Sequence, residues 1–157
     1  MSELIAAQFE TDFDVEEEFA PVPVIPQGNY RGSVTGVIFD GDKQSINFDV
    51  TLDGNDVLMS DGETEVDGSK VTFRVWLPKQ GDENEMTSGG RQTKKQWKIN
   101  NLKKVSESMG IDMNTPKAIA DGINNGDWIG LDVIANIRIS TWNDELKNDV
   151  NSLIAAP

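Results

Sequence analysis

Residues 70–109, KVTFRVWLPKQGDENEMTSGGRQTKKQWKINNLKKVSESM, pass from the apolar period of a strand to that of a helix across one long polar loop. In KVTFRVWL, Val71, Phe73, Val75 and Leu77 alternate with Thr72, Arg74 and Trp76, so the first set is expected inward and the second outward. The segment PKQGDENEMTSGGRQ (78–92) is loop by every punctuation signal, and its length points to function as well as connection. From about Lys95 to Met109 a helix is expected. Leu102, Val105 and Met109 form one stripe, Lys103 and Lys104 lie away from it, and Gly110 is a natural C-cap.

Upstream, GNYRGSVTGVIF (28–39) places Tyr30, Val34 and Ile38 on one face and Arg31, Ser33 and Thr35 on the other, with Gly32 and Gly36 allowing the strand to curl. After the turn signal DGDK, QSINFDVTL (44–52) alternates Ile46, Phe48, Val50 and Leu52 against Asn47, Asp49 and Thr51, which predicts a hairpin. DGNDVLMSDGETEVDG (53–68) lacks the ligand spacing of a calcium loop and is expected to be a polar hairpin. Downstream, a short helix is expected from Thr115 to about Ile123, with Thr115 as N-cap and Pro116 in its first turn.

The segment DWIGLDVIANIRIST (127–141) then predicts a long, bent strand, with Ile129, Leu131, Val133, Ala135, Ile137 and Ile139 inward and Trp128, Asp132, Asn136 and Arg138 outward. In NDELKNDVNSLIAAP (143–157), Leu146, Val150, Leu153 and Ile154 have helical spacing, but Asn143-Asp144 also suits a hairpin turn into a closing strand, which is preferred. The expected fold is mostly β: a five-stranded barrel with a helix between the third and fourth strands, the arrangement of the oligonucleotide/oligosaccharide-binding (OB) fold. Residues 28–157 would form this domain. Residues 1–27 mix acids with Phe9, Phe13 and Phe19 before the proline-rich APVPVIP, and are expected to be an acidic, flexible arm with neither strand nor helix.

The chain contains no cysteine and no histidine. Disulfides, thiolate nucleophiles, zinc–thiolate sites and imidazole bases are thereby excluded, leaving carboxylate–Mg²⁺ or –Ca²⁺ chemistry and Ser/Lys chemistry. Glu145-Leu146-Lys147 has the E-x-K form of metal-dependent nucleases, with Asp132 on the preceding strand, but so short a match in so acidic a chain is near chance. No glycine-rich loop carries the Lys-Ser/Thr of a phosphate cradle. The expectation is therefore a protein that is not an enzyme and carries no cofactor or metal, with an Mg²⁺-dependent carboxylate nuclease as an alternative. No apolar run reaches the length of a membrane span, and the opening MSELIAAQFETDFD lacks the basic head of a signal peptide, so a cytoplasmic protein is expected.

The formal net charge is −13, from 27 acids against 14 bases. Its distribution is uneven. Residues 1–27 hold seven acids and no base, whereas Met86–Ser106 hold six bases and no acid. A protein that holds single-stranded DNA needs cations along the phosphate backbone and aromatic faces for the bases. Candidates are Arg74 and Trp76 on the third strand, Lys79 just after it, and Arg138 on the fourth strand with Trp142 at its end. The segment SGGRQTKKQWKINNLKK (88–104) adds Arg91, Lys94, Lys95, Lys98, Lys103 and Lys104 around Trp97, in a glycine-hinged loop suited to closing over a strand. Plainer alternatives are Trp97 anchoring the helix in the core, the lysines merely solvated and Trp76 covered by the helical insert; Trp128 and Trp142 are expected to pack, and Tyr30 to lie in the core. The acidic arm is either a solubilising tail or an element that docks on other proteins or folds onto the basic segment in competition with DNA.

Five segments together carry a family likeness: IPQGNYRGSV (25–34), the strand pair around INFDVTL, the basic helix after KVTFRVWL, ADGINNGDWIGLDV (120–133) and NDELKNDVNSL (143–153). Over residues 24–152 the chain resembles phage-encoded single-stranded-DNA-binding proteins of replication and recombination modules. The resemblance implies a barrel that coats displaced single strands in the host cytoplasm, beside a polymerase, helicase or nuclease, without a membrane, and with the oligomeric state open, a homodimer included. Such proteins commonly carry their acidic docking tail at the C-terminus, whereas here the acids gather at the N-terminus and the chain closes on SLIAAP. A second class of function stays open beside DNA binding: a protein-interaction or virion structural module whose basic segment meets an acidic partner.

Overall fold

Apolar alternation in β1 (Gly28–Asp40) and β2 (Ser45–Leu52) sets their register, with Val37 opposite Phe48 and Phe39 opposite Ile46. β2 then aligns Phe48 with Phe73 and Ile46 with Val75 of β3 (Lys70–Trp76). The other edge of β1 takes β4 (Asp132–Trp142), from Gly28 opposite Ile137 to Ser33 opposite Asp132. β4 turns back into β5 (Glu145–Ala155) through Asn143 and Asp144, both at positive φ, as a two-residue hairpin turn requires. The computed structural model describes residues 5–157, and among these the five strands form one antiparallel sheet in the order β3-β2-β1-β4-β5.

Three α-helices are described: α1 (Val15–Glu18), α2 (Lys94–Met109) and α3 (Pro116–Asn124), with a 3₁₀ turn at Asp82–Asn84. The molecule is thus mostly β, with α2 and α3 inserted between the third and fourth strands. The sheet is not closed. β3 and β5 are its edges, and no hydrogen-bonded ladder joins them, while α2 packs against both.

Gly32 sits where β1 is shared, paired with Leu52 of β2 on one side and Val133 of β4 on the other. A Cβ there would lie 2.7 Å from the Thr51 carbonyl oxygen and from Val50 Cγ1, so the close approach admits only glycine. The core gathers around Phe48, which packs against Phe73 at 6.5 Å between ring centroids and stacks with Trp128 at 5.8 Å.

Four expectations are corrected. Trp128, expected outward, is 5% exposed in the core, and Ile129, expected inward, is exposed. The cause is local: β4 begins only at Asp132, and residues 127–131 are turns, with Gly130 at φ +89°, so the strand alternation does not extend back to them. Ile38, expected inward, is exposed because a bulge between Val34 and Gly36 shifts the phase of β1 and brings Val37 onto the core. The arm does contain helix: Asp14 caps the single turn α1 by accepting from the Glu16 and Glu17 amides.

The arm also stops short of residue 27. Val24 and Ile25 are buried; Ile25 N–H donates to Asn148 Oδ1 of β5 and Asn148 Nδ2 donates back to the Ile25 carbonyl, both at 2.8 Å. Val24 N–H donates to Ser60 Oγ at 3.0 Å, and Ser60 N–H to the Val24 carbonyl at 2.9 Å. The Asn148 side chain thus ties Ile25 to β5, and Ser60 ties Val24 to the connector between β2 and β3.

Candidate nucleic-acid interface

Helix α2 begins where Thr93 Oγ1 accepts from the Gln96 amide at 3.1 Å, and it ends at Gly110 in the left-handed conformation. The glycine-containing loop before it is a pinned turn. Met86 bridges to Thr93, Thr87 N–H donates to the Gln92 carbonyl, and Lys94 N–H donates to the Glu85 carbonyl.

The stretch free of acids along the chain is not free of acids in space. Lys98 is committed to Asp82, Nζ to Oδ2 at 2.7 Å, with both side chains largely buried at 12% and 8% exposure. Asp82 also accepts from the Lys79 amide at 2.7 Å, and the Lys98 hydrogen bond followed by this one holds its carboxyl below the usual carboxylate range. Lys94 pairs with Glu85 at 2.9 Å, and that hydrogen bond raises its ammonium above the ordinary lysine value. Both acids come from the loop just before the basic window, so two of its six cations are spent on the fold.

Among the described residues, Arg91, Lys95, Lys103 and Lys104 are exposed and in no ion pair. Arg91 precedes α2, whose exposed side chains fall on two faces. Trp97, Asn101 and Lys104 follow one another on one face; Lys95, Ile99 and Leu102 follow one another on the other. On the first, Trp97 is 45% exposed and lines a shallow groove of about 460 Å³ with Gln92, Asn100, Asn101, Lys103, Lys104 and Glu107. An amide chain supports it: Gln96 Nε2 donates to Asn100 Oδ1 at 2.8 Å, and Asn100 Nδ2 to Gln92 Oε1 at 3.2 Å. An open indole beside two free ammonium groups and several amide donors can stack one base and hold adjacent phosphates.

The other candidates do not join this groove in one arrangement. On β3, the Arg74 guanidinium lies 5.4 Å from the Trp76 ring centroid and its Nε donates to Asn47 Oδ1 at 3.0 Å, so this half-buried indole already carries a cation on one face. Lys79 is exposed on the loop after β3. Arg138 of β4 donates to Asn136 Oδ1 and lies opposite Asp149 of β5. Arg74 and Arg138 are far apart along the sheet: the first shares a row with Ile38 of β1, the second lies beyond Gly28. Ten residue steps separate those positions, about 33 Å along the strand.

The sequence reading assigned Trp142 to packing, yet it is 66% exposed where β4 turns, with Lys147 Nζ 5.8 Å from its ring. Its place immediately before the Asn143-Asp144 turn was the available signal, because a residue at a projecting hairpin tip has no core to reach. The E-x-K element does not assemble with its acid: Glu145 pairs with Trp142 at one end of β4, and Asp132 begins the other. Among the described residues no group of three or more acids is arranged to hold a metal ion, and no helix is long and apolar enough to cross a membrane. Compared with known proteins, the chain matches no protein-family model and no curated protein.

Proposed function

We propose that this protein binds single-stranded DNA without marked sequence preference, through the Trp97 face of α2. The observation that carries the reading is the shared groove: a half-exposed indole alongside Lys103 and Lys104, neither of them in an ion pair among the described residues. Trp97 stacks a base, Lys103 and Lys104 hold phosphates, and Arg91 extends the cationic track. Trp142 and Lys147 at the β4–β5 tip form a second aromatic–cation pair suited to the same ligand class.

We read the open sheet as an OB-like barrel. Its order, β3-β2-β1-β4-β5, is what such a barrel gives when the seam between its third and fifth strands is left without a ladder, and the helix after the third strand packs on both sides of that seam. In this reading the resemblance to phage single-strand binders extends to role: coating displaced strands in replication or recombination, in the cytoplasm, beside a polymerase, helicase or nuclease.

The test is fluorescence anisotropy of a labelled oligo-dT. Replacing Trp97 with alanine is expected to weaken binding by about 5- to 150-fold, from the roughly 1–3 kcal/mol of one base–aromatic stack. Three backbone contacts predict a log–log salt slope near about −2, at about −0.7 per neutralised phosphate. Unchanged binding by Trp97→Ala refutes the assignment.

A further inference from the structure

The opposite face of α2 lines a second and more apolar groove, about 550 Å³, whose walls include Phe39, Leu77, Ile99, Ile119 and Ile123. Among the described residues no acidic side chain lines it; Lys95 does. Lys43 and Lys79 are the chain neighbours of its wall residues Gln44 and Pro78. Among the described residues, none of these three lysines is in an ion pair. Phe39 and Ile99 are left exposed in it.

The same chain carries a segment of complementary chemistry with nothing covering it. FETDFDVEEEF (9–19) holds six acids and no base, and Phe9, Phe13 and Phe19 are all more than 60% exposed. Exposed phenylalanines in an acidic segment have the form of anchors without a pocket, here with Phe9 and Phe13 6.4 Å apart between ring centroids. We propose that this groove receives the Phe9–Phe19 arm of a second copy of the chain, phenylalanines in the apolar walls and carboxylates against Lys43, Lys79 and Lys95.

Reach favours the second copy over the arm's own chain. The arm is fixed at Val24 and Ile25, and Ile25 lies beside Val71 at the start of β3, whereas the groove meets Leu77 just past its end. From Val24, where the arm is fixed, Phe19 lies five residues away, about 17 Å of extended chain, against about 20 Å along β3, while Phe13 and Phe9 lie 11 and 15 residues away. Phe19 thus stops short of its own groove, and only a neighbour's groove can take all three phenylalanines of the segment together. Because arm and groove are different surfaces, each copy offers one of each, so the contact either closes reciprocally between two copies or adds subunits in a row. Such a row would line protomers along a single strand, yet the contact itself needs no DNA, so it stands or falls separately from the binding proposal.

Sedimentation velocity on the full chain without DNA is the test. The sedimentation coefficient is expected to rise with protein concentration. The triple substitution Phe9→Ser, Phe13→Ser, Phe19→Ser and the double substitution Ile99→Glu, Ala120→Glu, all at exposed positions, are each expected to abolish that rise. Mixed together they are expected to form a one-to-one complex that grows no further, since only one arm and one groove remain intact. A coefficient independent of concentration for the unsubstituted chain overturns the proposal, as does association that survives in the arm variant, which has no core residue to lose. Failure of the two folded variants to pair overturns it as well.

Discussion

Lys98 and Asp82 show how a cation within a basic segment serves the fold. Their contact at 2.7 Å is largely shielded from water, and it ties α2 to the 3₁₀ turn that precedes it. Removing one partner leaves the other charged with only the Lys79 amide to hold it, so Lys98→Met is expected to destabilise the chain by about 1–3 kcal/mol in urea unfolding. The same substitution should leave the salt slope of DNA binding unchanged, because Lys98 faces Asp82 and not the Trp97 groove; a shallower slope would return it to the interface. The pH dependence has a definite sign. The Asp82 carboxyl lies below its ordinary value in the folded chain, first through the Lys98 hydrogen bond. Its contribution is therefore complete above the unfolded value of about 3.9 and is lost as pH falls through the folded value. Asp82→Asn is expected to lower stability at neutral pH and to flatten the loss of stability on acidification, measured by urea midpoints across the acid range.

Among the elements, β1 bears the most constraint, since its first half pairs with β4 and its second with β2. Gly32 stands in the overlap, where a Cβ would meet the Thr51 carbonyl oxygen, a backbone atom that cannot turn aside. Gly32→Ala is expected to cost about 1–3 kcal/mol, and for a chain of this size that lowers the melting temperature by about 2–4 °C per kcal/mol. Calorimetry would show it; an unchanged melting temperature would mean that β1 can move away from β2. β2, β3, both tight hairpins and the end of α2 could be read from the sequence because each leaves a short-range mark: alternation in QSINFDVTL, Asn143-Asp144 at a turn, Gly110 at the helix end. Trp128 could not. Its burial depends on Phe48, distant in sequence, and on Gly122, where a Cβ would clash with the indole. The candidate site was legible in the same uneven way. Trp97, Lys103 and Lys104 share a helix and so share a groove, whereas the pairing of Lys94 and Lys98 was hidden in the fold of an acidic loop back onto α2.

At the scale of the molecule, a net charge of −13 sets a long-range repulsion against any nucleic acid, and binding must come from a local cationic surface. Added salt then acts twice, screening the repulsion at a distance and weakening the contacts near it. α2 turns one exposed face toward an open indole with lysines and the other toward an apolar groove, so one helix serves two proposed contacts without conflict. The most direct test is a low-salt titration of the chain with oligo-dT, followed by tryptophan fluorescence, beside the variant Lys103→Glu, Lys104→Glu. The expected result is saturable quenching in the unsubstituted chain that weakens as salt rises, and its loss in the variant at an unchanged unfolding midpoint. No quenching at low salt, or equal quenching in the charge-reversed variant, would contradict single-strand binding at the Trp97 face of α2.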